Sequence, residues 1–258
     1  MKTFQKLIVT AFFSVGLTAC VSTSSINQEA ANSYMQLKQK ANAEHAIDTT
    51  SPTAKRIQTV FNHIKPYAQQ ANTTGIPFQW EIVVLKSNEL NAWAMPGGKM
   101  AFYTGLVDKL NLTDDEIAVV MGHEMAHALK EHGKSDRNLS AITGIVTQIG
   151  KIALQTQGIS TDLGGFDAID VLTEYGLNKP FSRSQETEAD EEGLMLMAKS
   201  GYNPEAAPNV WRKMAQVTGS SGGLLESIAS THPTNAARQE NLQRLVPKAK
   251  ELYLASKR

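Results

Sequence analysis

The segment MGHEMAHALKEHG, residues 121–133, carries His123, Glu124 and His127 in the order His-Glu-x-x-His. Residues four apart on a helix share a face, so the two imidazoles can meet at one ion. Zinc suits such a pair, at about 2.0–2.1 Å per nitrogen. Glu124 stands at the edge of that face. There it is badly placed to ligate together with both histidines, and well placed to take a proton from a water whose pKa zinc lowers towards about 7. Met121, Met125, Ala126, Ala128 and Leu129 are apolar, which makes the helix mostly buried. Buried histidines need partners.

A hydrolytic zinc needs a third protein ligand and one position left for water. His132 follows His123 by nine residues, and at about 100° per residue a continuous helix puts it on the opposite side. It reads as a solvent-facing histidine near the helix C-terminus, where positive charge is favoured. The segment FSRSQETEADEEG, residues 181–193, places Glu186 and Asp190 four apart on a second predicted helix. Two carboxylates on one face allow one to ligate and the other to orient a ligand. Spacing alone also allows a plain acidic helix start that complements the helix dipole.

The elements that must position these groups are legible in part. Thr113-Asp114-Asp115-Glu116 is a capping box that starts the motif helix, and Gly133 is its expected stop, giving about five turns. Upstream, Ile57, Val60, Phe61 and Ile64 recur at helical spacing. The apolar residues 82–85 of FQWEIVVLK read as a strand. Pro96-Gly97-Gly98 turns the chain between two short extended pieces. Downstream, helices are predicted over 137–157, over 183–200 with a stop at Gly201, from Asn203-Pro204 to the break GSSGG, and over 235–256.

The N-terminus has a different character. Lys2 and Lys6 precede an apolar run over 7–17, as in a secretory signal. The run is short for a membrane span. Leu17-Thr18-Ala19-Cys20 resembles a bacterial lipobox, whose cysteine is acylated and becomes the mature N-terminus. No aspartate follows at Val21-Ser22, which resembles cargo sorted to the outer membrane. The resemblance implies a signal peptide over 1–19 and a tether lipidated at Cys20; residues 20–50 are polar and partly helical in pattern, and 51–258 form the domain that carries the zinc motifs. Basic and acidic residues balance at 25 each, with no basic run, and give no reason for a nucleic-acid partner.

His123-Glu124-x-x-His127, Glu186-x-x-Ala189-Asp190 and the upstream Asn91-Ala92-x-Ala94-x-Pro96-Gly97-Gly98 together resemble one gluzincin family, that of the CAAX prenyl protease, HtpX, LoiP and BepA. The lipobox and small size make the chain look most like LoiP. The resemblance implies an α+β, zincin-like fold, mostly helical, with a small sheet and an edge strand beside the active-site helix. It implies one Zn2+ per chain on His123, His127 and Glu186, with Glu124 as general base and Asp190 assisting. In zincins the edge strand, here Asn91, Ala92, Trp93 and Ala94, pairs with an extended substrate backbone.

The family pattern similarly has His-Pro followed by an arginine, which His232-Pro233 and Arg238 match. His232 is then expected in an extended loop at the site. It either donates a hydrogen bond to a developing oxyanion or occupies the fourth zinc position until the loop moves. Family and place together imply an endopeptidase of unfolded or misassembled envelope proteins, lipid-anchored to the outer membrane and facing the periplasm. Polypeptide substrates and envelope assembly machinery are the expected partners. A second reading is a chaperone or assembly factor with a structural zinc, against which an intact Glu124 argues. His45 and His63 have no assigned role.

Overall fold

A strand that is apolar at every position, as at residues 82–85, needs both faces covered. The computed structural model, which describes residues 21–136, 180–220, 231–233 and 236–257, shows both covers. In chain order the elements are α1 (Thr23–Ala43), α2 (Pro52–Ala71), β1 (Glu81–Leu85), β2 (Ala92–Met95), β3 (Lys99–Tyr103), α3 (Thr104–Leu110), α4 (Asp114–Leu129), α5 (Arg183–Lys199), a 3-10 turn at Pro204–Ala206, α6 (Ala207–Ser220) and α7 (Ala236–Ser256). The expected α+β, mostly helical architecture is what forms. The predicted helix over 137–157 and the N-terminal segment with Cys20 lie outside the described residues.

The sheet has three strands in the order β1-β3-β2. β3 runs parallel to β1 and antiparallel to β2, with Ala94 opposite Met100 and Val83 opposite Ala101. The outer edge of β1 is paired by the preceding chain: Asp48 N–H donates to the Val84 carbonyl, and Lys86 N–H to that of Ala46. Among the described residues, β2 therefore carries the unpaired edge, as expected. The β2–β3 turn uses Pro96 and two glycines at positive φ. At Gly98 a Cβ would come within 2.7 Å of the Trp80 ring, so no larger residue fits.

Side chains alternate between the two faces. Val84, Ala92, Ala94, Met100 and Phe102 join the main core with α2, α4, α5 and α6. Val83, Leu85, Trp93, Met95, Ala101 and Tyr103 face α1, which buries Ile26, Ala30, Tyr34, Leu37 and Ala41 against them. This corrects the reading of residues 21–50 as a polar tether: α1 is a packed third layer. It is also latched to the far end of the motif helix, where the Thr23 hydroxyl donates to Glu131 and accepts from Lys134 at 2.7 Å each.

Helix α4 is buried along almost its whole length. Both bonds of its capping box form, Glu116 N–H to the Thr113 hydroxyl at 3.2 Å and Thr113 N–H to the Glu116 carboxylate at 2.8 Å. Such a cap stabilises a helix start by about 1 kcal/mol. The C-terminal stop differs from the expected one. The helix ends at Leu129, Lys130 is the C-cap and Glu131 turns left-handed at φ 54°, two residues before Gly133.

The crossing of α4 with α5 is set by two glycines. A Cβ on Gly122 would lie 2.6 Å from the Gly193 carbonyl oxygen, and one on Gly193 would lie 2.7 Å from the His123 nitrogen. The two backbones therefore touch where the motif begins, and Glu186 and Asp190 are carried up to His123 and His127.

Candidate metal centre

Helix α4 supplies His123, Glu124 and His127, α5 supplies Glu186 and Asp190, and the segment just before α7 supplies His232. All six are at most 4% exposed. One ligand atom each from His123, His127, Glu186 and His232 lies within 4.8 Å of the others. His123 Nε2 is 3.1 Å from His127 Nε2 and 3.1 Å from His232 Nδ1. Glu186 Oε1 is 3.4 Å from His127 Nε2 and 2.8 Å from His232 Nδ1, and its Oε2 is 3.6 Å from His123 Nε2.

These separations fit one ion. A tetrahedron with bonds of about 2.0–2.1 Å has edges of roughly 3.3–3.4 Å. Three imidazole nitrogens facing one another repel unless a proton or a cation lies between them, and nitrogen with one carboxylate is a zinc donor set. The cluster thus fits one zinc per chain.

Around it stands a supporting shell. Asp190 does not reach the cluster; its Oδ1 sits 3.0 Å from His123 Nδ1, within ion-pair distance although the two are not aligned for a hydrogen bond. Arg238 of α7 forks onto Asp190 with two bonds of 2.7 Å, and its Nη1 lies 2.6 Å from Glu186 Oε2. The same guanidinium donates to the Pro233 carbonyl at 3.0 Å and to that of His232 at 3.4 Å, so it also holds the His232 segment. Trp211 packs edge-on to His123 and under Arg238. Phe181 stacks on His127 with ring centres 4.0 Å apart.

The charges sort by surroundings. Burial pushes the Glu124 pKa up, against the opposing pull of His232 and His123. Burial also acts to raise Glu186, but bonds with His127 and His232 outweigh it and hold that carboxyl far below its usual range. Asp190 is likewise held down, despite burial, by Arg238 and His123. Two carboxyl groups in one pocket are thereby driven apart, one towards proton acceptance and one towards permanent charge.

Glu124 lies beside the cluster. Its Oε1 accepts no hydrogen bond and is 3.4 Å from His232 Nε2, and the nearby backbone N–H of Ala94 on β2 favours its charged form. The β2 positions are not alike. Trp93 points away into the α1 layer, where its indole N–H donates to the Tyr103 hydroxyl, so its side chain is a core group. Ala92 and Ala94 face the helices, and the Asn91 side chain accepts from Ala92 N–H.

His132 overturns its expectation. It is 3% exposed, with Nδ1 2.9 Å from His127 Nδ1 and Nε2 3.2 Å from Glu188. The opposite face follows only for an unbroken helix, and the left-handed turn at Glu131 breaks it. The acid-rich start of α5 carried the missing signal, since Glu188 gives a buried histidine its partner.

Sheet, paired helices and donor set define a zincin of the gluzincin type. The family model described as Peptidase family M48 matches residues 51–246, and the chain belongs to that family. Among its relatives are the mitochondrial metalloendopeptidase OMA1 of Schizosaccharomyces pombe, 34% identical over 66% of this chain and 48% of its own length, and that of Saccharomyces cerevisiae, 31% identical over 78% and 58%. The metalloprotease LoiP of Escherichia coli is 29% identical over 75% of this chain and 70% of its own length. The chain thus spans about half the length of those OMA1 proteins. LoiP, singled out from the lipobox and small size, is matched at lower identity than either of them.

Proposed function

We propose that the chain is a zinc endopeptidase that cleaves extended, unfolded polypeptides at the periplasmic face of the outer membrane, anchored through a lipid on Cys20. One observation carries the catalytic part: the buried Glu124 carboxylate stands beside a His/His/Glu donor set, a placement useless to a purely structural zinc. When bound, zinc supplies Lewis-acid polarisation of the peptide carbonyl and lowers the pKa of water. Glu124 takes a proton from water and passes it to the leaving amine. Asp190 and Arg238 keep His123 in one orientation. The β2 edge offers backbone groups to an extended chain, which favours unfolded substrates with little sequence preference. A panel of one protein in native and denatured form tests this: the denatured form should be cut much faster, and equal rates would remove the substrate assignment.

The anchor rests on the lipobox-like residues, and LoiP-like envelope placement is the reading they support. Relatives in mitochondria and in a bacterium do not choose the compartment. In a bacterial host, Cys20→Ser is expected to abolish acylation and detergent-phase partitioning. Unchanged partitioning on fractionation would remove the anchor.

His232 occupies the fourth corner of the cluster, with Nε2 turned to Glu124, where a reacting water has to stand. That arrangement favours the blocking role over the oxyanion role. His232→Ala should therefore speed peptide cleavage, by severalfold or more, with zinc content unchanged. Slower cleavage would assign the oxyanion role instead. A closed four-donor site also suits a structural zinc in an assembly factor, and absence of cleavage in both parent and variant would favour that reading.

A further inference from the structure

The two zinc-facing histidines of α4 are backed differently. His123 has the charged carboxylate of Asp190 behind it, 3.0 Å from Nδ1. His127 has another imidazole, His132, at 2.9 Å with the rings edge-on. Two ring nitrogens can share a hydrogen bond only if one carries the proton. With Nε2 of His127 turned to the metal, its Nδ1 keeps the proton and donates. His132 Nδ1 is then the acceptor, so the His132 proton sits on Nε2, and Nε2 faces Glu188 Oε2 at 3.2 Å. Glu188 is fixed from its other oxygen by Lys130, 3.3 Å away at the end of α4. Every link has one donor and one acceptor, so the geometry is self-consistent from Lys130 to the cluster.

We propose that His132 is a positioning residue for the metal, holding His127 in the ligating tautomer and orientation, and that Glu188 in turn fixes the tautomer of His132. This rests on the zinc reading of the cluster. The break at Glu131 is the device that makes it possible, since only a left-handed residue there returns His132 to the face it would otherwise leave. Helix α5 then serves the centre three times, with Glu186 as ligand and Glu188 and Asp190 each behind one histidine. Outer partners of ligating histidines typically change metal affinity by about 10–100-fold.

The test is zinc affinity of the purified chain, read by competition with a chromophoric chelator. His132→Ala should bind zinc about 10–100-fold more weakly. His132→Asn, whose amide oxygen can stand near the Nδ1 position, should recover most of the loss. Glu188→Gln should fall between parent and His132→Ala, because Glu188 is half exposed. A purely structural role would lower the melting temperature of the apo proteins alike and would not be rescued by Asn. Affinity of His132→Ala within twofold of parent, or no recovery in His132→Asn, overturns the proposal. Should the alanine variant fail to fold, long-range 15N NMR of the zinc-loaded parent decides. Protons on His127 Nδ1 and His132 Nε2 are required, and either ring in the other tautomer overturns it. A parent chain that binds no zinc would instead sink the metal centre itself.

Discussion

Glu124→Gln is expected to bind zinc as the parent does and to lose peptide cleavage by about 10²–10⁴-fold, the usual cost of removing a positioned base. Glutamine keeps the shape of the side chain, so the fold has little to accommodate. The amide is not a base at neutral pH, and no second carboxylate can replace it: Glu186 is committed to the cluster, and Asp190 is committed to His123 and Arg238. Burial raises the Glu124 pKa, which brings a carboxylate closer to the working pH of a proton acceptor. Turnover near that of the parent, in protein with a full complement of zinc, would show that proton transfer is handled elsewhere.

Arg238→Leu is expected to have the largest effect on stability. The guanidinium is 4% exposed, forks onto Asp190, pairs with Glu186 and donates to two carbonyls of the His232 segment. Leucine fills part of the space but leaves two buried carboxylates without their cation. Breaking a buried pair in this way costs about 3–5 kcal/mol, and for a chain of this size that is a fall in Tm of roughly 10 °C. Zinc affinity should fall as well, because Asp190 no longer holds His123. Arg238→Lys should recover little, since a point charge cannot bond both carboxylate oxygens and the carbonyls together. Calorimetry of the apo and zinc-loaded variants reads both effects, and a Tm within about 2 °C of the parent would refute the account of this network.

What the sequence made legible was local. Spacing within α4 and within α5 placed His123, His127, Glu186 and Asp190 on two faces, and the capping box at Thr113 marked where α4 begins. Whatever depended on one segment meeting another was hidden or half visible. Helix α1 reads as polar because its buried stripe, Ile26, Ala30, Tyr34, Leu37 and Ala41, includes two alanines. The clue lay elsewhere, in a β1 strand apolar on both faces and so in need of two covers. Gly122 and Gly193 carry no local signal at all, since their role appears only when the two helices touch. His132 departs from the face that helical spacing gives it because the chain breaks at Glu131, a residue type that seldom turns left-handed. Arg238 was visible as part of a pattern, but its fork onto Asp190 required α7 to pack on α5.

The central claim, that this His/His/Glu centre with Glu124 beside it hydrolyses peptide bonds, is most directly tested by cleavage of unfolded casein with the purified full chain. The assay is run as isolated, after chelation, and after return of one equivalent of zinc. The account predicts cleavage that disappears on chelation and returns with that single equivalent. Cleavage that persists in metal-free protein would contradict it.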